Sequence, residues 1–140
     1  MPPPLDPISC GLPHRAPFVF IDTVLVLETG QSAICTKRFA ASEPFFKGHF
    51  PGRPLVPGVI LTEGAAQTAG IAAGEPGKTF HLSAIRQMKF IRPVLPNSVV
   101  EFSASKTGGM GGMLQFQVSA RVEGSLVAEG TVILNEVNLT

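Results

Sequence analysis

Apolar and polar positions follow two different periods along this chain. Between Val99 and Lys106 they alternate, with Val100, Phe102 and Ala104 against Glu101, Ser103 and Ser105. Between Leu114 and Val122 the alternation is cleaner: Leu114, Phe116, Val118, Ala120 and Val122 against Gln115, Gln117, Ser119 and Arg121. Period two marks half-buried strands. Gly108-Gly109-Met110-Gly111-Gly112 reads as the turn joining this pair, and Glu123-Gly124 as a short hairpin turn into a strand from Leu126 to Leu134. Phe80 to Phe90 reads as another strand. Near the start, β-branched and aromatic residues predict a strand over Phe18 to Leu27, a turn at Thr29-Gly30-Gln31 and a less regular strand from Ser32 to Phe39. The residues up to about Pro13 are Pro-rich and read as irregular, residues 1–11 most clearly.

Gly58 to about Ala73 has another character. Pro57 stands at a helix start, where its missing N–H costs nothing. Val59, Ile60, Leu61, Ala65, Ala66, Ala69, Ile71 and Ala72 spread apolar surface around every side. A helix with no polar face is a buried one, and this one would be roughly 24 Å long at 1.5 Å per residue. Gly64 and Gly70 weaken it by roughly 1 kcal/mol each relative to Ala. Gly74-Glu75-Pro76-Gly77 ends it. An antiparallel meander around one buried helix is an α+β fold in a single domain spanning 1–140.

Composition narrows the function. Charged residues are only 15% of the 140, and the formal net charge is +1. No global field points to nucleic acid, and the low charge content suits a surface partly covered by another subunit. Lys47, Arg53, Arg86, Lys89 and Arg92 read either as solvated charge or as a docking face for an acidic partner. Cys10 and Cys35 have no metal-ligand spacing and make no disulfide framework, so both read as reduced thiols of a cytoplasmic protein. Met1 to Asp6 lacks the basic and apolar regions of a signal peptide. Val56 to Ala73 is apolar, but it contains Pro57, Glu63 and Gln67, which argues against a membrane span. Asn138-Leu139-Thr140 matches a glycosylation acceptor by chance.

Most potential chemistry is concentrated between Gly48 and Glu63. His49 sits in a loop stiffened by Pro51, Pro54 and Pro57, and Glu63 is a lone carboxyl in the apolar helix. An imidazole is the usual general base, and a carboxyl in apolar surroundings holds its proton. The two therefore read as an acid/base pair. The plainer alternatives are a histidine satisfied by loop carbonyls and a carboxyl facing water at a helix end. Phe39, Phe45, Phe46 and Phe50 crowd the approach to His49, as core or as pocket lining. His14, in a loop after Leu12-Pro13, and His81, in a strand, read as structural. No pair of histidines has helical metal-ligand spacing, so no metal site is expected. There is no nucleophile elbow for a Ser-His-Asp triad and no phosphate loop.

The motif Gly48-His49-Phe50-Pro51-Gly52-x-Pro54-x-x-Pro57-Gly58-Val59-x-x-x-Glu63, followed by Ala66-Gln67, resembles the signature of the 3-hydroxyacyl-acyl-carrier-protein dehydratases of type II fatty acid synthesis. Leu12-Pro13-His14-Arg15-x-Pro17-Phe18 with Ile21-Asp22 resembles the opening motif of that family, and Phe90-x-Arg92-Pro93-Val94 its later strand. The resemblance implies a hot-dog fold, a sheet wrapped round a central helix. It implies a homodimer, sometimes a homohexamer built as a trimer of dimers, in which His49 of one subunit faces Glu63 of the other. The implied reaction removes water from a (3R)-3-hydroxyacyl thioester to give the trans-2-enoyl thioester in fatty acid elongation. His49 would act as base and Glu63 as acid. The Gly58 N–H would face the thioester carbonyl, the Leu55 carbonyl would fix the imidazole, and Phe50, Pro57 and Gln67 would line the substrate. No cofactor is implied, since the substrate arrives on the phosphopantetheine of an acyl carrier protein, with Arg53, Lys89 and Arg92 as candidate docking residues.

The match departs from the family pattern at Gly64 and Ala66, both smaller than usual and so expected to change the shape or length of the acyl tunnel, in the short segment from Gly74 to Thr79, and at Ile91, where a basic residue is frequent. The acid is Glu63, whereas the related dehydratase/isomerases carry Asp, which favours dehydration alone. Two alternatives stand beside this expectation. One is the same elimination in a specialised pathway, of polyketide or aryl-polyene type, or on CoA thioesters. The other is a non-catalytic acyl-binding subunit on the same fold.

Overall fold

The computed structural model describes residues 3–75 and 77–137. The glycosylation match at Asn138 and the Pro76 of the helix stop therefore lie outside the described residues. Six strands and one long helix follow in the order β1 (Thr23–Glu28), β2 (Ser32–Arg38), α1 (Gly58–Ala73), β3 (Thr79–Phe90), β4 (Val99–Met110), β5 (Met113–Val122) and β6 (Ser125–Val137), with a short 3₁₀ turn over Pro44–Lys47. The strands make one antiparallel sheet in the order β1-β2-β4-β5-β6-β3. The sheet wraps α1, which packs chiefly on β4 and β2. This is the hot-dog arrangement, and solved structures with the same fold are described with the active site below.

Burial accounts for the helix as the pattern anticipated. Leu61, Ala65, Ala69, Ile71, Ala72 and Ala73 join Val24, Cys35, Phe39, Phe102, Phe116, Val118 and Val132 in one core. The two threonines of α1 turn back on the helix: Thr62 Oγ1 donates to Gly58 O and Thr68 Oγ1 to Gly64 O, both at 2.9 Å. Gly64 is a packing glycine. A Cβ there would lie 2.6 Å from Cε2 of the fully buried Phe102. The missing side chain is thus replaced by a phenyl ring, and Gly64 lines neither cavity described below. Gly74 closes the helix in the left-handed region, at φ 59°, which costs glycine nothing.

Three elements differ from the sequence reading. The first strand begins only at Thr23. The stretch from Phe18 to Asp22 is instead tied to α1, because the Gln67 amide accepts from Phe20 N at 2.9 Å and donates to Phe18 O at 3.2 Å. A buried tertiary hydrogen bond overrides strand propensity here. The glycine-rich segment is mostly strand: β4 runs to Met110 and only Gly111 and Gly112 turn. Finally, the start is not wholly irregular, since Leu5 exchanges two 2.8 Å backbone bonds with Val24.

Candidate active site

His49 lies in a loop that holds it from both sides. Phe50 N donates to Arg53 O and Arg53 N to Phe50 O, closing a tight turn in which Gly52 has φ 75°. Leu55 N then donates to His49 O at 2.9 Å, and His49 Nδ1 sits 3.1 Å from Leu55 O. A carbonyl only accepts, so Nδ1 carries the proton and Nε2 of the neutral ring is left with its lone pair. The Phe50 ring stacks on the imidazole, with centroids 4.1 Å apart and an interplanar angle of 26°, and is 52% exposed. Phe39 and Phe46 are core, so the phenylalanines around His49 divide between packing and exposed surface.

The same loop leads into the start of α1. Pro57 is the N-cap residue and no side chain caps this end. The first N–H groups of a helix have no intrahelical partner and carry the positive end of the dipole. Gly58 lines a cavity of about 270 Å³ together with Leu55, Phe90 and Arg92. The Phe90 ring lies over Gly58, 3.1 Å from where a Cβ would stand. A side chain at this position would therefore displace the ring or close the approach to the helix end.

Glu63 comes from the second turn of α1 and lines a larger cavity of about 540 Å³. Its Oε2 is buried with no hydrogen-bond partner among the described residues. Burial raises the Glu63 carboxyl above the usual carboxylate range, because the charged form loses its water. Ala66, Gln67 and Gly70 continue the cavity wall one and two turns along the helix. The Gln67 side chain is 1% exposed and is engaged by the backbone of Phe18 and Phe20. Its amide holds the Phe18–Phe20 loop in place, while the residue itself forms part of the cavity wall.

Within one chain His49 lines neither of these two cavities, while Glu63 lines the larger. Leu55 and Phe50 do gather at His49, and Gly58 and Arg92 share the smaller cavity. Arg53, Lys89 and Arg92 are exposed, and none forms an ion pair among the described residues. Cys10 and Cys35 are unpaired. Among the described residues, no group of three or more His, Cys, Asp or Glu is placed to hold a metal ion. No helix of the described residues is long and apolar enough to cross a membrane.

Sequence similarity agrees with this geometry. Residues 26–131 match the family model of the ApeI dehydratase. A protein of Rhizobium etli named 3-hydroxyacyl-[acyl-carrier-protein] dehydratase FabZ is 41% identical over 125 residues, covering 86% of this chain and 81% of the relative. The protein of the same name from Agrobacterium fabrum is 42% identical over 125 residues, with the same coverage. Among solved structures, the dehydratase heterocomplex ApeI:P of Xenorhabdus doucetiae superposes with a TM-score of 0.78 at 18% identity, covering 95% of this chain and 92% of that one. The uncharacterised PH1136 of Pyrococcus horikoshii gives 0.68 at 17% identity, covering 88% of each chain. These two likenesses show the shared hot-dog fold. The family model and the relatives go further: the chain belongs to the 3-hydroxyacyl-acyl-carrier-protein dehydratase family, and is a dehydratase, a hydro-lyase.

Proposed function

We propose that this chain eliminates water from a (3R)-3-hydroxyacyl thioester carried on acyl carrier protein in fatty acid elongation, with His49 of one subunit and Glu63 of its partner as base and acid. The observation that carries this reading is the opposite preparation of the two groups. His49 Nδ1–H is committed to Leu55 O, which frees Nε2 to take a proton. Glu63 is desolvated, which favours the protonated form that an acid needs. The C2 proton passes to His49 Nε2, and the electron pair of that C–H bond becomes the C2–C3 double bond. The C3–O bond breaks, and the departing hydroxide takes the Glu63 proton to leave as water. Transfer of the proton from His49 to Glu63 resets the site. The Gly58 N–H and the helix dipole stabilise charge developing on the thioester oxygen. The elimination is redox-neutral, so it needs no cofactor beyond the thioester carrier.

The separation of His49 from the Glu63 cavity supports a shared site. So does strand β3, an edge of the sheet with one side unpaired and with Ile85 and Phe90 exposed. Edges of this kind invite pairing with a second copy. Val59, 75% exposed at the start of an otherwise buried helix, adds apolar surface for a partner to cover. Arg53, Lys89 and Arg92 supply exposed positive charge for an acidic carrier protein. A cytoplasmic setting, a dimer or trimer of dimers, and a single domain over 1–140 complete this reading.

The test is turnover of 3-hydroxyacyl carrier protein, followed by enoyl absorbance. His49→Ala and Glu63→Gln should each lower kcat at least ~100-fold, the low end for general acid–base catalysis, with thermal unfolding retained. Wild-type kcat in both variants would sink the mechanism. The alternative is the same elimination in a specialised pathway or on CoA thioesters. A panel of acyl lengths on several carrier proteins and on CoA separates the two.

A further inference from the structure

Among the described residues, two buried side-chain polar atoms have no hydrogen-bond partner: His14 Nδ1 and Glu63 Oε2. Both residues line the same cavity of about 540 Å³. Buried polar atoms are nearly always paired, and an unpaired one loses its water without compensation. Two unpaired atoms carried by residues that line one cavity point to a ligand oxygen that satisfies both.

The fold takes trouble to put His14 there. Its ring stacks on Phe18 at a centroid distance of 6.0 Å and an angle of 25°. Arg15 Nη1 donates to Leu12 O at 2.9 Å and to His14 O at 2.8 Å, which fixes the turn that presents the imidazole. Gln67, one helical turn beyond Glu63 and so on the same face of α1, holds Phe18 O and Phe20 N. The loop that carries His14 is thereby fastened to the helix that carries Glu63. Burial also lowers the His14 pKa, which keeps the ring neutral and able to accept.

Building on the dehydratase reading, we propose that His14 is a substrate-positioning residue: its Nδ1 accepts the hydrogen of the C3 hydroxyl, turning a lone pair of that oxygen toward the Glu63 carboxyl. His14 takes no proton in this role. When the C3–O bond breaks and Glu63 protonates the oxygen, the product water keeps the same bond to Nδ1. The group positions the leaving oxygen, so its loss slows the chemical step more than it weakens binding.

The test compares His14→Phe, which keeps a ring against Phe18 but has no nitrogen, with His14→Asn, which returns an acceptor. Steady-state kinetics on one 3-hydroxyacyl carrier protein should show kcat lowered ~10-fold in the Phe variant, the worth of one good hydrogen bond, with KM within about twofold. The Asn variant should recover most of that loss. If thermal unfolding shows the Phe variant misfolded, His14→Ala replaces it, and Asn must exceed Ala in kcat by a similar factor. Wild-type kcat in the Phe or Ala variant overturns the proposal. Equal loss in the Asn variant assigns His14 to packing and also overturns it, as does a change confined to KM. Glu63→Gln in the same assay tells the two failures apart. If it is inactive while His14→Phe is unaffected, only the role of His14 falls. If it retains wild-type turnover, the dehydratase mechanism itself falls.

Discussion

The loop from Gly48 to Pro57 and the helix from Gly58 to Ala73 prepare their functional groups by opposite means. The loop works by local bonds: a turn between Phe50 and Arg53, and two contacts between His49 and Leu55, set the imidazole and its tautomer. The helix works by exclusion. Among the described residues nothing bonds to Glu63 Oε2, and burial holds the carboxyl above its usual range. A base needs an aimed lone pair, which hydrogen bonds supply. An acid needs a retained proton, which desolvation supplies. His49 does not line the cavity that Glu63 lines, and in the proposed mechanism a second copy completes the site.

The sharpest way to break this comparison is to separate loop from helix genetically. Subunits carrying His49→Ala and subunits carrying Glu63→Gln, each inactive alone, should regain about one quarter of wild-type activity on mixing. Half of the randomly exchanged dimers are hybrids, and each hybrid keeps one intact shared site. No recovery despite exchange shown by mass spectrometry would place both groups of a site in one chain.

Stability tests come next. Gly64→Ala should destabilise the fold by about 2 kcal/mol, as forced overpacking against Phe102 outweighs the gain in helix propensity. Chemical denaturation measures it, and Phe102→Leu in the same chain should return part of the loss. Gly52→Ala should cost about 1 kcal/mol for its left-handed backbone, and should lower kcat as well, because the Phe50–Arg53 turn holds His49. Unchanged kcat would mean that the loop tolerates distortion without moving the base.

The smallest effects concern exclusion itself. The folded chain binds the Glu63 proton more tightly than the unfolded chain does, since burial raises the carboxyl. The resulting penalty on stability is absent below the unfolded value, about pH 4. It grows as pH rises toward the folded value and is full above it. Glu63→Gln should therefore raise Tm more at alkaline pH than at about pH 4. An equal shift at both would mean that the carboxyl is not desolvated. Gly70→Ala, where a Cβ would meet no other atom within 4 Å, should gain up to about 1 kcal/mol from helix propensity.

Much of this was legible in residue order. The apolar stretch from Val59 to Ala73, bounded by Pro57 and Gly74, matches α1 to the residue because punctuation and burial agree there. The alternation from Leu114 to Val122 gave β5 within one residue. The reading of Phe18 to Leu27 as one strand failed in its first half, because the partner that claims Phe18 and Phe20 lies 47 to 49 residues away, at Gln67. The glycines at 108–112 looked like a turn, yet pairing with β5 carries β4 through Met110. Gly64, which suggested room along a substrate tunnel, is filled by Phe102 from another strand. His14 read as structural because nothing local marks an imidazole as unpartnered.

Periodicity, proline and glycine placement, and a long motif determined by themselves that this chain is a sheet around one buried helix, with His49 on a stiff loop and Glu63 inside apolar surroundings. These are local properties, set within a few turns of chain. Only the tertiary structure decided which glycine is packed and which is open, what Gln67 holds, and that His14 and Glu63 face one cavity while His49 does not. Such facts depend on contacts between residues far apart in sequence, and no local pattern encodes who fills the space beside a given side chain.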